Sequence, residues 1–285
     1  MALRTPPAAP AGDLTLLNPG PGLVVLEPQR AALMLELDAL FTDMADELGA
    51  SAVVGPPLLP AEGLARLDYF RNFPHLGVTA ARFSDGAVEA LASGAPVAEQ
   101  PVRPTGYLLP SATCYGLLLS LQGQDVGPGL RLTSIGRCFR NEDHYDGLRR
   151  LWGFHMREIV YFGTAEGARE HLARSKELVE TLASRLGIEL SYQPASDPFY
   201  DKSGSRAKLM ALDPVKYEFV APDGTAIASV NRHRNFFGER LGITSAGVVA
   251  HSSCTAFGVE RWIHAMLQAH GTPQKALRQV HDVRG

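Results

Sequence analysis

The amino-acid sequence predicts an α+β fold in which helices lie beside a mainly antiparallel sheet. Three segments repeat apolar residues at helical spacing, and four others have the length and composition of β-strands. The last two strands are joined by Pro222-Asp223-Gly224, a turn in which Pro presets φ and Gly accepts a positive φ. Such a short connection favours an antiparallel pair, and the interspersed helices complete the α+β pattern.

The first predicted helix spans residues 29–48 and precedes a short strand. One of its faces carries six apolar side chains: Leu33, Leu37, Leu40, Phe41, Met44 and Leu48. Gly49 suits a C-terminal cap. The segment SAVVGPP then predicts a strand that its prolines end.

Two more helices and four longer strands follow along the chain. The second helix is predicted over residues 165–186, with Thr164 as N-cap and Gly187 as terminator. The third helix begins near Gly258 and has five apolar residues on one side: Val259, Trp262, Ile263, Met266 and Leu267. The predicted strands cover residues 131–140, 153–163, 215–221 and 226–231.

The composition is that of a globular protein of the cytoplasm. Of the 285 residues 45% are hydrophobic, enough for one large domain or two small ones. No long linker divides the sequence, so we expect a single domain over residues 14–285. Residues 1–13 are rich in Pro and Ala and predict a flexible tail. No apolar run has the length of a membrane span. Three widely spaced cysteines argue against a disulfide framework and favour a reducing compartment.

The charge balance argues against a stable complex with nucleic acid. The net charge is −3, and no run of basic residues is longer than Arg149-Arg150. Proteins that hold nucleic acid through its phosphates carry a basic surface instead. We therefore expect no stable binding of nucleic acid.

Glu158 interrupts an apolar strand face. The alternating positions of strand 153–163 are Phe154, Met156, Glu158, Val160 and Phe162. Burying an unpaired carboxylate costs several kcal/mol, so Glu158 needs a cation or a metal ion, or lines a cavity. An ion pair with an arginine, or a different register of the strand, is the alternative.

Arg261 lies in the first turn of the third helix, where the helix dipole favours an anion rather than a cation. An arginine at this place is explained if it binds a polyanion that the helix N-terminus also attracts. The alternative is an exposed arginine that turns away from the helix end.

Three segments resemble the sequence motifs of class II aminoacyl-tRNA synthetases. CFRNED (138–143), a loop rich in Arg and Gly, and GFHMREIVYFG (153–163) are similar to motif 2, in which two antiparallel strands hold ATP. AFGVERW (256–262) resembles motif 3, and helix 29–48 with GASAVVGPP resembles motif 1, which forms the dimer interface. The resemblance implies a class II synthetase-like fold and a homodimer.

Within class II, the chain resembles seryl-tRNA synthetases, and more closely the amino acid:[carrier protein] ligases derived from them. YLLPSATCYGLLLSLQG (107–123) corresponds to a substrate loop, and ASVNRHRNFFGERLGI (228–243) to the segment with the asparagine of the amino-acid pocket. The long N-terminal coiled coil with which seryl-tRNA synthetases hold tRNA has no counterpart in residues 1–28.

The resemblance implies a zinc site at Cys114, Glu158 and Cys254. In zinc-dependent members, two cysteines and a glutamate at these places hold one zinc ion. Two thiolates and a carboxylate leave a fourth tetrahedral position open, as catalytic zinc sites do. The alternative for each cysteine is a small buried apolar residue, and this is our interpretation of Cys138, which the family does not use.

The resemblance also assigns residues to the adenosine and α-phosphate of ATP. Arg140 would contact the α-phosphate, Glu142 the adenine amino group, and Phe154 would stack on the purine. Since Arg140 and Glu142 are two positions apart, we expect both on one strand face, addressing one ligand.

The remaining ATP-binding residues surround the phosphate tail. Arg149 or Arg150 would reach the terminal phosphates together with Arg261, and a solvated hairpin tip is the alternative for the first two. Arg140 and Arg261 are the catalytic candidates, and Glu218 is a candidate for magnesium or ATP. Seryl-tRNA synthetases have an acidic residue where this chain reads TAIA (225–228), so it departs from their magnesium-binding pattern.

Zinc in this family binds the α-amino group of the substrate, and Asn231 is expected to form a second polar wall of the amino-acid site. The resemblance then implies that ATP and a small amino acid, glycine or alanine, form an aminoacyl-adenylate. The phosphopantetheine thiol of a carrier protein would take the aminoacyl group. Two alternatives are a seryl-type tRNA synthetase with a separate tRNA-binding partner and a non-catalytic, amino-acid-sensing paralogue.

Overall fold

A seven-stranded sheet forms the centre of the computed structural model, which describes residues 17–201 and 213–285. The predicted tail, residues 1–13, lies outside the described residues. The strands in this part of the chain are β1 (Leu17–Gly20), β2 (Leu23–Val25), β3 (Ser51–Ala52), β4 (Leu59–Pro60), β5 (Val78–Phe83), β6 (Val102–Leu109), β7 (Gly129–Phe139), β8 (Gly153–Gly163), β9 (Ser191–Ala195), β10 (Lys216–Val220), β11 (Ala226–Arg234), β12 (Thr244–Ser245), β13 (Val248–Val249) and β14 (His251–Gly258).

The sheet is antiparallel except at one edge. Its strand order is β3-β7-β8-β14-β11-β10-β9, and only the short β3 runs parallel to its neighbour, β7. A separate three-stranded sheet has the order β4-β6-β5, and β1-β2 and β12-β13 form two small pairs. Together with the helices, this arrangement confirms the predicted α+β class.

Four long helices accompany this sheet, and five shorter ones lie between the strands of the described residues. The helices are α1 (Pro28–Glu47), α2 (Ala61–Arg66), α3 (Tyr69–Asn72), α4 (Asp85–Ala92), α5 (Cys114–Ser120), α6 (Ala165–Arg185), α7 (Phe236–Leu241), α8 (Val259–His270) and α9 (Pro273–Arg284). The three helices expected from periodicity are confirmed as α1, α6 and α8, with ends that differ by one residue or two.

The largest core joins α1, α6, α8 and α9 to one face of the sheet. Phe41 of α1 is fully buried, and its ring lies 4.4 Å from that of Phe257 and 5.2 Å from that of Trp262. Ile159 of β8 joins this core, whereas its neighbour Val160 belongs to a second core with α5 and α7. The even-numbered side chains of β8 therefore face α5, and this face carries the candidate site.

Local signals for helix ends and turns behaved as predicted. The Thr164 side chain accepts a hydrogen bond from the Gly167 amide at 3.0 Å and so caps α6. Gly187 ends this helix with a φ of 68°, and Gly224 has a φ of 85° in the turn between β10 and β11.

One structural expectation was wrong. Strand β7 ends at Phe139, one residue before the predicted end, so Arg140 and Glu142 follow the strand instead of sharing one of its faces. The chain leaves the ladder because the Asn141 amide donates to the carbonyl oxygen of Leu76 at 3.2 Å rather than to β8. The short strand predicted in SAVVGPP is present and covers Ser51–Ala52.

The buried His171 of α6 makes stability depend on pH. It is 1% exposed, and burial lowers its pKa from 6.5 to about 4. In the unfolded chain His171 therefore becomes protonated below pH 6.5, whereas in the native state it stays neutral down to about pH 4. We expect this residue to lower the free energy of unfolding by about 1.4 kcal/mol per pH unit as the pH falls through that window.

Urea unfolding at several pH values measures this effect. His171→Gln should flatten the dependence between pH 6.5 and pH 4, whatever it does to stability at pH 7. His281→Gln is the matched control, because the His281 side chain is 56% exposed. Equal slopes for wild type and His171→Gln would contradict the assignment.

Candidate active site

Seven side chains that the sequence assigned to ATP line one cleft. The cleft is bounded by the β7–β8 loop, by strands β8, β10 and β11 and by the start of α8. We name it the arginine cleft, and its seven predicted members are Arg140, Glu142, Arg149, Arg150, Phe154, Glu218 and Arg261. Residues that are far apart in the sequence thus line one cleft, and four of the seven are arginines.

The arginines of the loop face the cleft and are held there by ion pairs. Arg150 Nη1 lies 2.7 Å from Glu142 Oε2. Arg149 pairs with Asp146 and lies 3.6 Å from Asp223 of the β10–β11 turn. These contacts argue against a freely solvated hairpin tip.

Arg261 reaches back from α8 to the same loop. Its Nε donates to the Arg149 carbonyl oxygen at 2.8 Å, and its Nη1 donates to the Ala226 carbonyl oxygen at 2.9 Å. The side chain therefore does not turn away from the helix end. A guanidinium has five N–H donors, so those that remain can bind an anion next to the helix N-terminus.

A second cavity, of about 510 Å³, adjoins the first. We name it the cysteine cavity, because Cys114, Glu158, Cys254 and Asn231 line it. Cys114 begins α5, whereas the other three lie on β8, β14 and β11. The structure thus brings all three predicted metal ligands to one wall, beside the predicted amino-acid residue.

Sheet register explains why Glu158 and Cys254 are neighbours. Glu158 is paired with Ala256 and Cys254 with Val160, so the two side chains occupy adjacent rows of one face. Glu158 is 2% exposed, as is Cys254. The strand face predicted for Glu158 is confirmed.

Glu158 has no ion-pair partner in the described residues. Its carboxylate accepts a short hydrogen bond from the Cys114 amide. Burial, followed by the nearby Cys254, raises the pKa of Glu158 from 4.5 to about 8. The next residue, Arg157, takes the other side of the strand and pairs with Asp38 of α1. Within the described chain, the alternative of a buried ion pair for Glu158 is therefore wrong.

The sulfur of Cys254 is the acceptor of a polar network. Asn231 Nδ2 lies 3.3 Å and His233 Nε2 lies 3.4 Å from this sulfur, and Ser252 Oγ lies 3.0 Å from the other ring nitrogen of His233. A hydrogen bond from the Cys114 thiol, together with those from His233 and Asn231, holds the pKa of Cys254 well below its ordinary value. The pKa of Cys114 is raised well above its ordinary value, because its thiol shares a hydrogen bond with Cys254 and is buried.

The donors of this wall suit zinc by type. Two sulfurs and a carboxylate are ligands that zinc accepts, and they lie at the end of a cavity. As they stand, however, no group of three or more His, Cys, Asp or Glu side chains among the described residues is arranged to hold a metal ion. The zinc site therefore remains a proposal.

Cys138 plays no part in this wall. It is fully buried and packs in a small cluster with Met156 and Ala256. The interpretation of Cys138 as a buried apolar residue is confirmed. It also serves below as an internal control for the other two cysteines.

Arg140 connects the two cavities. It lines both of them, its Nε donates to the Ser111 carbonyl oxygen at 3.0 Å, and its guanidinium lies 5.1 Å from the centre of the Phe154 ring. A charge held in this way can interact with ligands in both cavities at once.

Lys216 also lines both cavities, and the sequence analysis did not identify it. Its ammonium lies 3.1 Å from Glu218 and 3.2 Å from Asp197. Burial, the largest effect, acts to lower the pKa of Lys216, but the two carboxylates outweigh it and the pKa is raised. The sequence contained a signal for Lys216, because it and Glu218 are two positions apart and so lie on one face of a strand whose other residues are apolar. A charged residue on a strand face was also the signal that identified Glu158.

A protein-family model of the class II tRNA synthetase core matches more than half of this chain. The tRNA synthetase class II core domain (G, H, P, S and T) matches residues 121–270. Two curated relatives from Bradyrhizobium diazoefficiens are amino acid--[acyl-carrier-protein] ligase 1, 32% identical over 84% of this chain and 78% of its own length, and ligase 2, 31% identical over 76% and 69%.

A solved structure extends the similarity to the fold. The seryl-tRNA synthetase of M. kandleri, solved in complex with A. aeolicus tRNASec, superposes with a TM-score of 0.79 at 22% identity. The superposition covers 94% of this chain and 58% of that chain, so this protein spans less than two thirds of the synthetase. The motifs, the two adjoining cavities and the degree of identity lead to one assignment: the chain belongs to the class II aminoacyl-tRNA synthetase core family and, within it, to the amino acid--[acyl-carrier-protein] ligases.

Proposed function

We propose that this protein uses ATP to activate a small amino acid, glycine or alanine, as its aminoacyl-adenylate and transfers the aminoacyl group to the phosphopantetheine thiol of a carrier protein. The observation that carries the proposal is the junction of the arginine cleft and the cysteine cavity at Arg140. A nucleotide in the cleft and an amino acid in the cavity would place the α-phosphate and the carboxylate on either side of this guanidinium.

In the first step, a carboxylate oxygen attacks the α-phosphorus, and pyrophosphate leaves as the aminoacyl-adenylate forms. Arg140 would stabilise the negative charge that develops on the α-phosphate. Lys216, held by two carboxylates beside Arg140, would add a second positive charge for the reacting carboxylate. Orientation supplies much of the gain, since both reactants are held at fixed positions.

The rest of the arginine cleft would bind the nucleotide. Phe154 offers its ring to the purine and Glu142 an acceptor for the adenine amino group, while Arg149, Arg150 and Arg261 would bind the phosphate tail. Arg150 pairs with Glu142 through Nη1, so its remaining N–H donors would be available to a phosphate. Glu218, 27% exposed in the cleft, remains the candidate for magnesium.

Cys114, Glu158 and Cys254 would hold zinc at the far end of the cysteine cavity. Bound zinc would supply an open coordination position for the neutral α-amino group of the substrate. Asn231 would hold the Cys254 sulfur, through the hydrogen bond described above, as well as forming a wall of the pocket.

In the second step, the pantetheine sulfur attacks the aminoacyl carbonyl carbon, the bond to AMP breaks, and the thiol proton is lost. Labelled glycine or alanine should therefore appear on a holo carrier protein as a hydroxylamine-labile thioester. The apo carrier, which has no pantetheine thiol, should remain unlabelled. Bulk tRNA should also remain unlabelled, because the net charge of −3 offers little attraction for its phosphates.

The same experiment separates the alternatives. Labelled tRNA with an unlabelled holo carrier would replace the proposal with a seryl-type tRNA synthetase that acts with a tRNA-binding partner. No labelled acceptor, together with no pyrophosphate exchange for any of the twenty amino acids, would favour a non-catalytic, amino-acid-sensing protein.

We also propose that the protein is a homodimer through α1 and the strand that follows it. Val54 lies two residues after β3, the edge strand of the main sheet, and is 97% exposed. A symmetric partner would bury such an edge. Light scattering should give twice the chain mass, and Val54→Asp should lower it towards that of one chain.

Val88→Asp is the control for the dimer, since Val88 is also exposed but lies on α4. A fully active wild-type monomer at micromolar concentration would contradict the proposed interface.

We propose a location in the cytoplasm, because three widely spaced cysteines favour a reducing compartment. None of the described helices combines the length and the apolar character needed to cross a bilayer.

A further inference from the structure

The hairpin β1–β2 contacts the loop that carries two arginines of the cleft. This hairpin precedes the residues matched by the family model and belongs to none of the three motifs. The carbonyl oxygen of Gly22, in its turn, accepts a hydrogen bond from the Trp152 amide at 2.8 Å. The contact joins residues 130 positions apart in the sequence, at the end of the β7–β8 loop.

Gly22 fits its position for two separate reasons. Its φ is 70°, a conformation that side chains disfavour. A Cβ on Gly22 would also lie 2.5 Å from Cδ1 of the Tyr145 ring, well inside van der Waals contact. The ring of Tyr145, at the start of the loop tip, therefore packs directly against the hairpin backbone.

The opposite side of the same loop is fixed by the main core. Leu148 and Leu151 are each 6% exposed and belong to the cluster that contains α1. The tip itself is closed by backbone hydrogen bonds between Asp146 and Arg150, at 2.9 and 3.1 Å. The segment that carries Arg149 and Arg150 is thus held between the hairpin outside and the core inside.

From these contacts we infer that the Pro21-Gly22 turn is a positioning element for ATP: it keeps the β7–β8 loop in the shape that presents Arg149 and Arg150 to the phosphates. The inference rests on the proposed function only in taking ATP as the ligand of the arginine cleft. A loop held in its binding shape before ATP arrives costs less entropy to order on binding.

The hairpin has a simpler alternative role, which is to stabilise the fold. A purely structural hairpin would change the melting temperature and the amount of active protein, but not the affinity for one substrate relative to the other. If the hairpin has a positioning role, its alteration changes the apparent affinity for ATP but does not change the affinity for the amino acid.

The test is Gly22→Ala in the full-length protein, with KM for ATP and for the amino acid measured by pyrophosphate exchange and Kd for ATP measured by calorimetry. If the loop holds its binding shape only about one tenth of the time in the variant, the apparent Kd for ATP rises about tenfold. The KM for the amino acid should stay within about twofold. Trypsin should also cleave after Arg149 or Arg150 faster than in wild type.

A second variant separates the clash with Tyr145 from the strain at Gly22. Tyr145→Ala should weaken ATP binding by itself, because it removes the ring that contacts the hairpin. In that background Gly22→Ala should have a much smaller further effect, since no ring remains to be displaced. Gly20→Ala is the matched control in the same hairpin, because among the described residues its added Cβ would meet only Leu23 Cδ1, at an ordinary 3.5 Å.

The outcomes distinguish this inference from the proposed function. If wild type neither binds ATP nor exchanges pyrophosphate, the proposed function fails. If wild type does both and Gly22→Ala does not change ATP affinity, or changes both KM values equally, the positioning role is wrong. Additive effects of Gly22→Ala and Tyr145→Ala would also contradict it.

Discussion

Replacing Arg140 or Arg261 by alanine is expected to lower amino-acid-dependent pyrophosphate exchange by on the order of 10²-fold, the usual cost of losing one preorganised charge donor. Arg140 lies where the two cavities meet, so its loss should act mainly on kcat, through the charge that develops on the α-phosphate. Arg261 contacts the β7–β8 loop and the start of β11, so its loss should raise the KM for ATP as well.

Three controls make this expectation specific. Arg131→Ala removes an arginine of β7, the strand that precedes Arg140. The Arg131 guanidinium lies over the Tyr161 ring and outside the cleft, so this variant should retain activity. Arg261→Gln keeps a donor for a backbone carbonyl without the charge, so it distinguishes the loss of charge from the loss of a structural hydrogen bond. The metal content of the Arg140→Ala and Arg261→Ala proteins should equal that of wild type. Exchange that survives both alanine substitutions would remove these residues from the phosphate site.

Alternation along a strand was the most informative signal for the site. Glu158 stood out because a carboxylate interrupts the apolar face of β8, and the structure places it on the wall of a cavity. The arginines of the cleft could not be found in this way, because they lie on a loop and at a helix start, where no period applies. Arg261 stood out through its place in the first turn of a helix, and the resemblance to motif 2 identified the other arginines.

Contacts that depend on register escaped prediction. His233 meets the Cys254 sulfur because β11 pairs with β14, and the pairing shifts at this point, between Arg232 and Arg234. Nothing in a single sequence states which strands pair or where such a shift occurs. The end of β7 before Arg140 was missed for a related reason, since it depends on a hydrogen bond to the distant Leu76.

The contact between Gly22 and Tyr145 belongs to the same category. The sequence shows a Pro-Gly turn near the N-terminus, which predicts a bend but not what the bend touches. Only the fold brings this turn against residue 145. The β7–β8 loop is therefore held by long-range contacts that sequence patterns do not predict.

Replacing Cys114, Glu158 or Cys254, on the wall of the cysteine cavity, is expected to cause a large loss of both zinc and activity. Wild-type protein is expected to contain about one zinc ion per chain. Loss of a residue that only supports a metal ligand typically lowers metal affinity by roughly 10- to 100-fold. We expect a larger loss of zinc affinity for each ligand variant: Cys114→Ser, Cys254→Ser and Glu158→Gln. Pyrophosphate exchange should fall with the zinc content.

Cys138→Ser provides the matched control for this expectation. Cys138 is as deeply buried as Cys114 and Cys254. In the described part of the chain it packs against apolar neighbours and the Thr113 hydroxyl, whose oxygen lies 3.5 Å from its sulfur. Its replacement should therefore affect stability without changing the zinc content. Metal analysis after exhaustive dialysis, together with the melting temperature, measures the two effects separately.

The metal-free protein supplies the decisive outcome. If protein stripped of zinc exchanges pyrophosphate at the full rate, the zinc assignment is wrong. Glu158 would then be a buried acid with a pKa of about 8, protonated at neutral pH and held by the Cys114 amide. In that case Glu158→Gln, which keeps the shape of a neutral carboxyl group, should be almost silent, whereas a zinc ligand cannot be replaced in this way. The same substitution therefore separates a metal site from a neutral hydrogen-bonded acid.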